Sequence, residues 1–140
     1  MNSELDATGT ELVRSVSAIK SHKDLHVWQK AIGLAEMAYR HTVRFPKDET
    51  YGLSAQMRRS AVSVAANIAE GFGRDQTGNF IQFLRIALGS VRELDTHITI
   101  AIRVGLMTTG EASSMVQECD DVSKMLRSLI RTLEGKAKKN

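Results

Sequence analysis

The sequence has few of the residues that interrupt helices, build sheets or form disulfides. Its 140 residues include one proline, so long uninterrupted helices are permitted. Aromatic residues make up 5% of the chain, and the β-branched residues are scattered rather than clustered in strand-like runs. One cysteine excludes an internal disulfide and is typical of a reducing cytoplasm. These shortages favour an all-α protein with a cytoplasmic location.

Two further absences concern membranes and export. No apolar run approaches the ~18 residues that a membrane helix needs, and the polar opening MNSELDATGT lacks the apolar segment of a signal peptide. The sequence therefore predicts no membrane partner. The net charge is small, because 19 Lys and Arg against 16 Asp and Glu leave +3. This balance permits contact with nucleic acid or an acidic partner without requiring it.

Four segments have the apolar periodicity of helices. The predicted helices span residues 24–44, 50–70, 77–104 and 108–135. Phe45-Pro46 ends the first helix, because the residue before proline avoids helical angles. In the third and fourth helices the apolar residues alternate steps of three and four, as in coiled coils. Four helices with short connections predict an antiparallel up-down-up-down four-helix bundle.

Polar residues and glycines predict the helix ends. Asp24 is placed to cap the first helix, and Gly71 to close the second in the left-handed conformation. Gly105 follows the third helix, and Thr108 to Glu111 has the capping-box pattern. Gly135 is expected to end the fourth helix. The predicted organisation has three parts: a flexible or partly helical arm at 1–22, the bundle at 23–135 and a basic tail at 136–140.

The first helix has an unusually wide apolar face. Two neighbouring stripes recur at helical spacing: Leu25, Trp28, Ile32, Ala35 and Tyr39, and beside them Val27, Ala31, Leu34 and Ala38. Together they are wider than one neighbouring helix can cover. The second helix is rich in small residues, which let another backbone come close: Ser60, Ala61, Ser63, Ala65, Ala66 and Ala69. Both features predict that copies of the chain associate into a homo-oligomer.

No constellation of residues in the sequence indicates catalysis. A di-metal bundle needs Glu-x-x-His pairs, and the chain has none; His97 follows Glu93 by four residues and is expected on the surface. Cys119 falls on the core stripe of the fourth helix, as expected of a buried structural thiol. We therefore expect no catalytic residue, metal or cofactor, and a protein that is not an enzyme. An enzyme with an unrecognised site is the least favoured alternative.

One polar stripe follows the second helix. It comprises Gln56, Arg59, Ser63, Asn67, Glu70 and Arg74, with Arg58 beside it. One interpretation is a solvated face or a polar network between helices, in which Glu70 neutralises an arginine. The other is a recognition face whose arginines meet phosphate or acidic side chains. Arg74 and Arg85 flank the turn into the third helix, so cations could gather at that end.

Three segments carry a resemblance to a known family. DLHVWQKAIGLA, FPKDETYGLSAQMRRSAVSVAANIAEGFGR and FIQFLRIALGSVRELDTHI resemble the bacterial four-helix-bundle family first noticed in intervening sequences of 23S rRNA genes. The resemblance covers residues 23–134. The family pattern places Lys30 in the first helix, and Asn67, Glu70, Gly71 and Arg74 match its signature. The family commonly has a serine near Gln76 to cap the third helix; here Asp75 or Thr77 must do so.

The resemblance implies a homopentamer. It also implies kinship with the accessory protein of diversity-generating retroelements, which works with a reverse transcriptase and nucleic acid. Our first hypothesis is therefore a non-catalytic oligomer that binds RNA, DNA or a reverse-transcriptase-like protein. The second is an interaction scaffold with no nucleic-acid role. The candidate contact residues are Lys30, Arg58, Arg59, Arg74 and Arg85.

Overall fold

The computed structural model describes residues 19–139, and these residues contain helices and no strand. Four α-helices follow one another: α1 His26–Thr42, α2 Leu53–Phe72, α3 Thr77–Arg103 and α4 Thr109–Lys139. Short 3₁₀ turns at His22–Asp24 and Lys47–Glu49 precede α1 and α2. The predicted all-α class and the number of helices are confirmed. The predicted arm falls mostly on residues 1–18, which lie outside the described range.

The helices pack around one core that contains the predicted seams. Every seam residue of α3 is buried: Phe80, Leu84, Ala87, Val91, Leu94, Ile98 and Ala101. Every seam residue of α4 is buried as well: Met115, Cys119, Val122, Leu126, Leu129 and Leu133. From α1 and α2, Leu34, Met57 and Ile68 complete this core with no exposed surface. Regular three- and four-residue steps put these side chains on one face of each helix, so the prediction is confirmed.

Two helix ends follow the prediction. Thr108 and Glu111 form the predicted capping box at the start of α4: the Thr108 N–H donates to Glu111 Oε1 at 2.8 Å, and the Glu111 N–H donates to Thr108 Oγ1 at 3.0 Å. The hydrogen bond from the Thr108 N–H is the largest cause that holds the pKa of Glu111 below its usual value, and the Thr108 side chain adds to it. Gly105 follows α3 with φ +84°, the left-handed conformation that glycine adopts without strain.

The predicted caps at the starts of α1 and α3 are wrong. Asp24 lies in the 3₁₀ turn, and Leu25 occupies the N-cap position of α1 without a side-chain hydrogen bond. The Leu25 side chain is instead buried in the core, so packing fixes this end. α3 begins at Thr77 after Gln76, whose side chain makes no cap hydrogen bond. Neither Asp75 nor Thr77 therefore occupies the N-cap position.

Gly71 does not close α2 in the left-handed conformation, so that prediction is wrong. It lies inside the helix, which continues to Phe72, and Gly71 is buried. A Cβ atom at this position would lie 2.6 Å from Phe83 Cβ and 3.0 Å from Phe80 Cδ1. Glycine is therefore needed here because α3 passes directly over the α2 backbone.

Gly135 does not end α4, which continues through the predicted basic tail to Lys139. A glycine inside a helix costs about 1 kcal/mol relative to alanine, which a long helix tolerates. Lys136 and Lys138 are exposed on this last part of α4. The cations of the tail are thus presented on a helix.

The wide apolar face of α1 is only half covered by the other helices. Its inner stripe, Val27, Ala31, Leu34 and Ala38, is buried. In the other stripe Leu25 is buried, but Trp28, Ile32 and Ala35 are only partly covered and Tyr39 is 48% exposed. On α2, Ala66 is exposed and Val62 is 43% exposed. The described chain thus leaves a band of apolar and small side chains in contact with water.

Candidate nucleic-acid interface

Lys30 joins α1 to α4. Its Nζ lies 2.6 Å from Glu118 Oε1 and 3.6 Å from Asp121 Oδ2, and all three side chains are largely covered. The hydrogen bond to Glu118 is the main cause that raises the pKa of Lys30, so the ammonium stays charged. The contact role predicted for Lys30 stays a prediction, but its charge is already held by two carboxylates.

Arg58 joins α2 to α1 without meeting an acidic group. Its Nε donates to Thr42 Oγ1 at 2.8 Å, and its guanidinium carbon lies 4.5 Å from the centroid of the Tyr39 ring. The Thr42 hydroxyl in turn donates to the Ala38 carbonyl at 2.7 Å. Arg58 is half-buried, and neither neighbour supplies a counter-charge to its guanidinium.

The other three predicted contact residues have different neighbours. Arg59 hydrogen-bonds to Gln56 on the same helix and forms no ion pair with a described residue. Arg74 pairs with Glu70, and its guanidinium carbon lies 5.1 Å from the centroid of the Phe83 ring. Arg85 pairs with Glu134 of α4. The structure thus does not bring the five predicted cations together into one site.

The rest of the polar stripe on α2 forms a small network with α3. Asn67 Nδ2 donates to the Ser63 carbonyl at 2.8 Å and to Ser63 Oγ at 2.9 Å. Ser63 Oγ lies 2.8 Å from Ser90 Oγ across the helix contact. Together with the Glu70–Arg74 pair, these contacts match the interpretation of the stripe as a polar network between helices. Arg58 and Arg59 are the cations that this network leaves without a carboxylate.

Sequence reasoning missed a cleft between α3 and α4. Its volume is 350 Å³. The lining residues are Val91, Arg92 and Asp95 of α3, and Val116, Gln117, Cys119, Asp120, Ser123 and Arg127 of α4. Arg92 and Arg127 are exposed, and neither forms an ion pair with a described residue. The cleft therefore presents two guanidinium groups without an ion-pair partner among the described residues, one from each helix, beside the carboxylates of Asp95 and Asp120.

A pattern in the sequence could have indicated this face. Lys124, Arg127, Arg131 and Lys138 recur on α4 at steps of three, four and seven residues, which place them on one side of a helix. On α3, Arg92 follows Arg85 by seven residues, but Arg85 is paired with Glu134. Its position opposite Arg127 depends on how the two helices pack.

A thiol on α4 and an imidazole on α3 were considered for reactivity from the sequence, and both are at least half-buried. Cys119 lies on the cleft floor with 3% of its surface exposed, as predicted, and burial raises the pKa of its thiol to about 12. His97 is not on the surface as expected but half-buried, and its Nε2 is buried without a hydrogen-bond partner among the described residues. A neutral thiol with this pKa is a poor nucleophile.

Within residues 19–139, no group of three or more His, Cys, Asp or Glu side chains is placed to hold a metal ion. None of the four helices combines the length and apolar character that crossing a bilayer requires.

Residues 23–128 match the family described as 23S rRNA-intervening sequence protein. The chain belongs to this family. A similar solved structure is that of a protein of unknown function from the S23 ribosomal protein family of Bacteroides thetaiotaomicron. It is 27% identical, its TM-score is 0.68, and the match covers 75% of this chain and 98% of the other. No curated protein matches the intervening-sequence chain.

Proposed function

We propose that this intervening-sequence protein is a non-catalytic homo-oligomer that binds nucleic acid through basic residues. The observation that carries the proposal is the set of exposed arginines without a carboxylate partner among the described residues. They include Arg59 of α2, Arg92 and Arg103 of α3, and Arg127 and Arg131 of α4. Unpaired charges of one sign repel one another in the folded chain, and a phosphate backbone supplies their counter-charge.

The proposed arrangement of the helices is antiparallel, up-down-up-down. The order of contacts supports it, because later residues of one helix meet earlier residues of the next. Ser63 of α2 meets Ser90 of α3, and Gly71 meets Phe83 and Phe80. Arg58 of α2 lies over Tyr39 of α1. In this arrangement the α2 residues that follow Arg58 lie beside the α1 residues that precede Tyr39. Val62 and Ala66 are therefore neighbours of Ala35 and Ile32. The uncovered side chains then form one continuous apolar band.

A second copy of the chain is the proposed cover for this band, and the family resemblance favours five copies. Val62→Glu should weaken the assembly, because it places a carboxylate in the buried interface. Val104→Glu is the matched control: that valine is also exposed, and it lies after the end of α3. Light scattering should give a smaller mass for Val62→Glu and an unchanged mass for the control. A wild-type mass of one chain would rule out the assembly.

Nucleic-acid binding is tested with labelled RNA and DNA oligonucleotides by fluorescence anisotropy at several salt concentrations. Phosphate contacts release counterions, so log K should fall linearly with log salt concentration. Replacing Arg58, Arg59 and Arg74 together tests the residues predicted from the α2 stripe. Absence of binding by the wild-type protein at about 50 mM salt, a condition that favours phosphate contacts, would contradict the proposed function.

The internal pairing of three predicted cations favours a second candidate function, an interaction scaffold without a nucleic-acid role. Lys30, Arg74 and Arg85 each meet carboxylates of their own chain. In the scaffold the α2 stripe holds subunits together, so Glu70→Ala or Arg59→Ala should dissociate the oligomer. An unchanged mass for both variants would exclude this role of the stripe. A reverse-transcriptase-like protein would be a partner under either function.

A further inference from the structure

We propose that the cleft between α3 and α4 is the phosphate-binding site of the protein, with Arg92 and Arg127 holding the phosphodiester backbone of a nucleic-acid strand. The inference rests on the proposed nucleic-acid binding and assigns it to residues outside the α2 stripe. The group that the cleft would bind is the phosphodiester, which occurs in both single-stranded RNA and duplexes. Four features support the inference: the register of α3 against α4, the charges around the cleft, the side chains that line it, and the basic residues that continue along α4.

The register of α3 and α4 places the two arginines on opposite walls of one cleft. Arg85 of α3 pairs with Glu134 of α4, which fixes one point of contact between the helices. Arg92 lies seven residues after Arg85, and Arg127 lies seven residues before Glu134. Seven residues are about two helical turns, so each arginine is displaced from the ion pair by the same distance along its helix. Both side chains line the same cleft.

The charges around the cleft leave an excess of one cation, because Asp95 can offset only one of the two guanidinium groups. Asp120, on the rim, is held by Lys124 at 3.0 Å, and Glu134 is held by Arg85. Asp95 is the remaining carboxylate in the lining, and it forms no ion pair with a described residue. Two guanidinium groups that face one cleft repel each other. An anion bound between them would remove this repulsion.

The lining suits a phosphodiester better than a base. Guanidinium groups match phosphate oxygens with two parallel hydrogen bonds. Ser123 adds a hydroxyl, and the Gln117 amide, which donates one hydrogen bond to Asp121 at 2.9 Å, has a second N–H. No aromatic ring is among the described residues that line the cleft, so the stacking platform that holds single-stranded bases elsewhere is missing. Recognition through phosphate alone carries no sequence information. We therefore expect binding that is insensitive to base sequence.

The basic side of α4 extends the site beyond the cleft. Arg131 follows Arg127 by one turn, about 6 Å along the axis, and Lys138 follows two turns later. Both are exposed, and neither forms an ion pair with a described residue. A strand held by Arg92 and Arg127 would thus meet further cations as it runs towards the end of α4.

The double variant Arg92→Gln/Arg127→Gln tests the site in the full-length protein. The probe is a fluorescein-labelled 20-nucleotide oligouridylate, with a 20-base-pair duplex as a second arm. Each phosphate contact to a single strand contributes about 0.7 to the salt slope. Losing two contacts should lower that slope by about 1.4 and weaken binding about 25-fold at 0.1 M salt. A loss of similar size for the duplex would extend the site to double-stranded nucleic acid.

Two control variants separate the cleft from overall charge. Arg44→Gln/Arg103→Gln removes the same net charge from exposed positions outside the cleft, where neither arginine forms an ion pair with a described residue. It should change affinity by less than about threefold. Asp95→Asn removes the unpaired carboxylate of the cleft lining and should strengthen binding several-fold. Thermal unfolding followed by circular dichroism verifies that every variant is folded.

Three results would overturn the inference, and they are distinguishable. Binding by the wild-type protein that the Arg92/Arg127 variant retains would refute the site and leave the proposed function standing. Absence of binding by the wild-type protein at about 50 mM salt would refute the proposed function and the site together. Binding of a poly-glutamate peptide more tightly than the oligouridylate would refute phosphodiester as the ligand.

Discussion

The contact at Gly71 gives the most quantitative prediction about the fold. Substitution by alanine would place a Cβ atom 2.6 Å from Phe83 Cβ, 3.0 Å from Phe80 Cδ1 and 3.3 Å from the Phe80 carbonyl oxygen. The first of these atoms is fixed to the α3 backbone, so rotating a side chain cannot relieve the clash. α3 must move away from α2 where Phe72 and Phe80 make their edge-to-face contact, with centroids 6.0 Å apart.

Two opposing effects set the size of the change. Overpacking of a core by a methyl group costs about 1–3 kcal/mol, whereas replacing glycine by alanine inside a helix favours folding by up to ~1 kcal/mol. We therefore expect Gly71→Ala to lower the free energy of unfolding by about 1–2 kcal/mol. Without the clash, the same substitution would stabilise the protein.

Gly89→Ala is the matched control, because Gly89 is an exposed residue inside α3 and a Cβ there would meet nothing within 4 Å. It should raise the free energy of unfolding by about 0.5–1 kcal/mol. The measurement is urea unfolding of both variants at one protein concentration, because association makes apparent stability depend on concentration. Equal stabilisation by the two substitutions would refute the close approach of α3 to Gly71.

Three further predictions concern single side chains. Thr108→Ala removes one half of the capping box and should lower the free energy of unfolding by about 1 kcal/mol in the same urea assay; no change would mean that the box does not stabilise α4. Glu118→Gln should lower the free energy of unfolding by about 1–2 kcal/mol, because it leaves Lys30 with only its more distant carboxylate. Glu36→Gln, which removes an exposed ion pair, should change the free energy of unfolding by less than about 0.5 kcal/mol. Cys119, whose pKa is raised to about 12, should resist iodoacetamide at pH 8 until urea unfolds the chain; rapid alkylation of the native protein, measured by mass spectrometry, would contradict its burial.

The fold was predictable from the sequence wherever the determining residues lie within a single helix. The seams of α3 and α4 repeat over many turns, so the buried side of each helix follows from spacing alone. The capping box at Thr108 is equally local, since both hydrogen bonds join residues three apart. Gly71 differs, because the reason for glycine lies in Phe83 of another helix. A local rule therefore assigned it to a helix end.

The candidate site depends on pairings between distant residues, which periodicity does not reveal. Lys30 and Glu118 are far apart in the sequence and meet because α1 packs against α4. The same is true of Arg85 and Glu134. A count of basic residues treats all cations alike, although carboxylates of the same chain already hold some of them.

The distribution of paired and unpaired cations therefore carries more functional information than the net charge. Lys30 and Arg85 each bridge α4 to another helix, so replacing either would weaken the packing and confound a binding measurement. Arg92 and Arg127 have no such structural partner among the described residues, so their replacement tests binding without removing an ion pair. Because the excess charge of the whole chain is only +3, any strong attraction to phosphate must come from a local cluster. The α3–α4 cleft and the adjoining side of α4 supply that cluster.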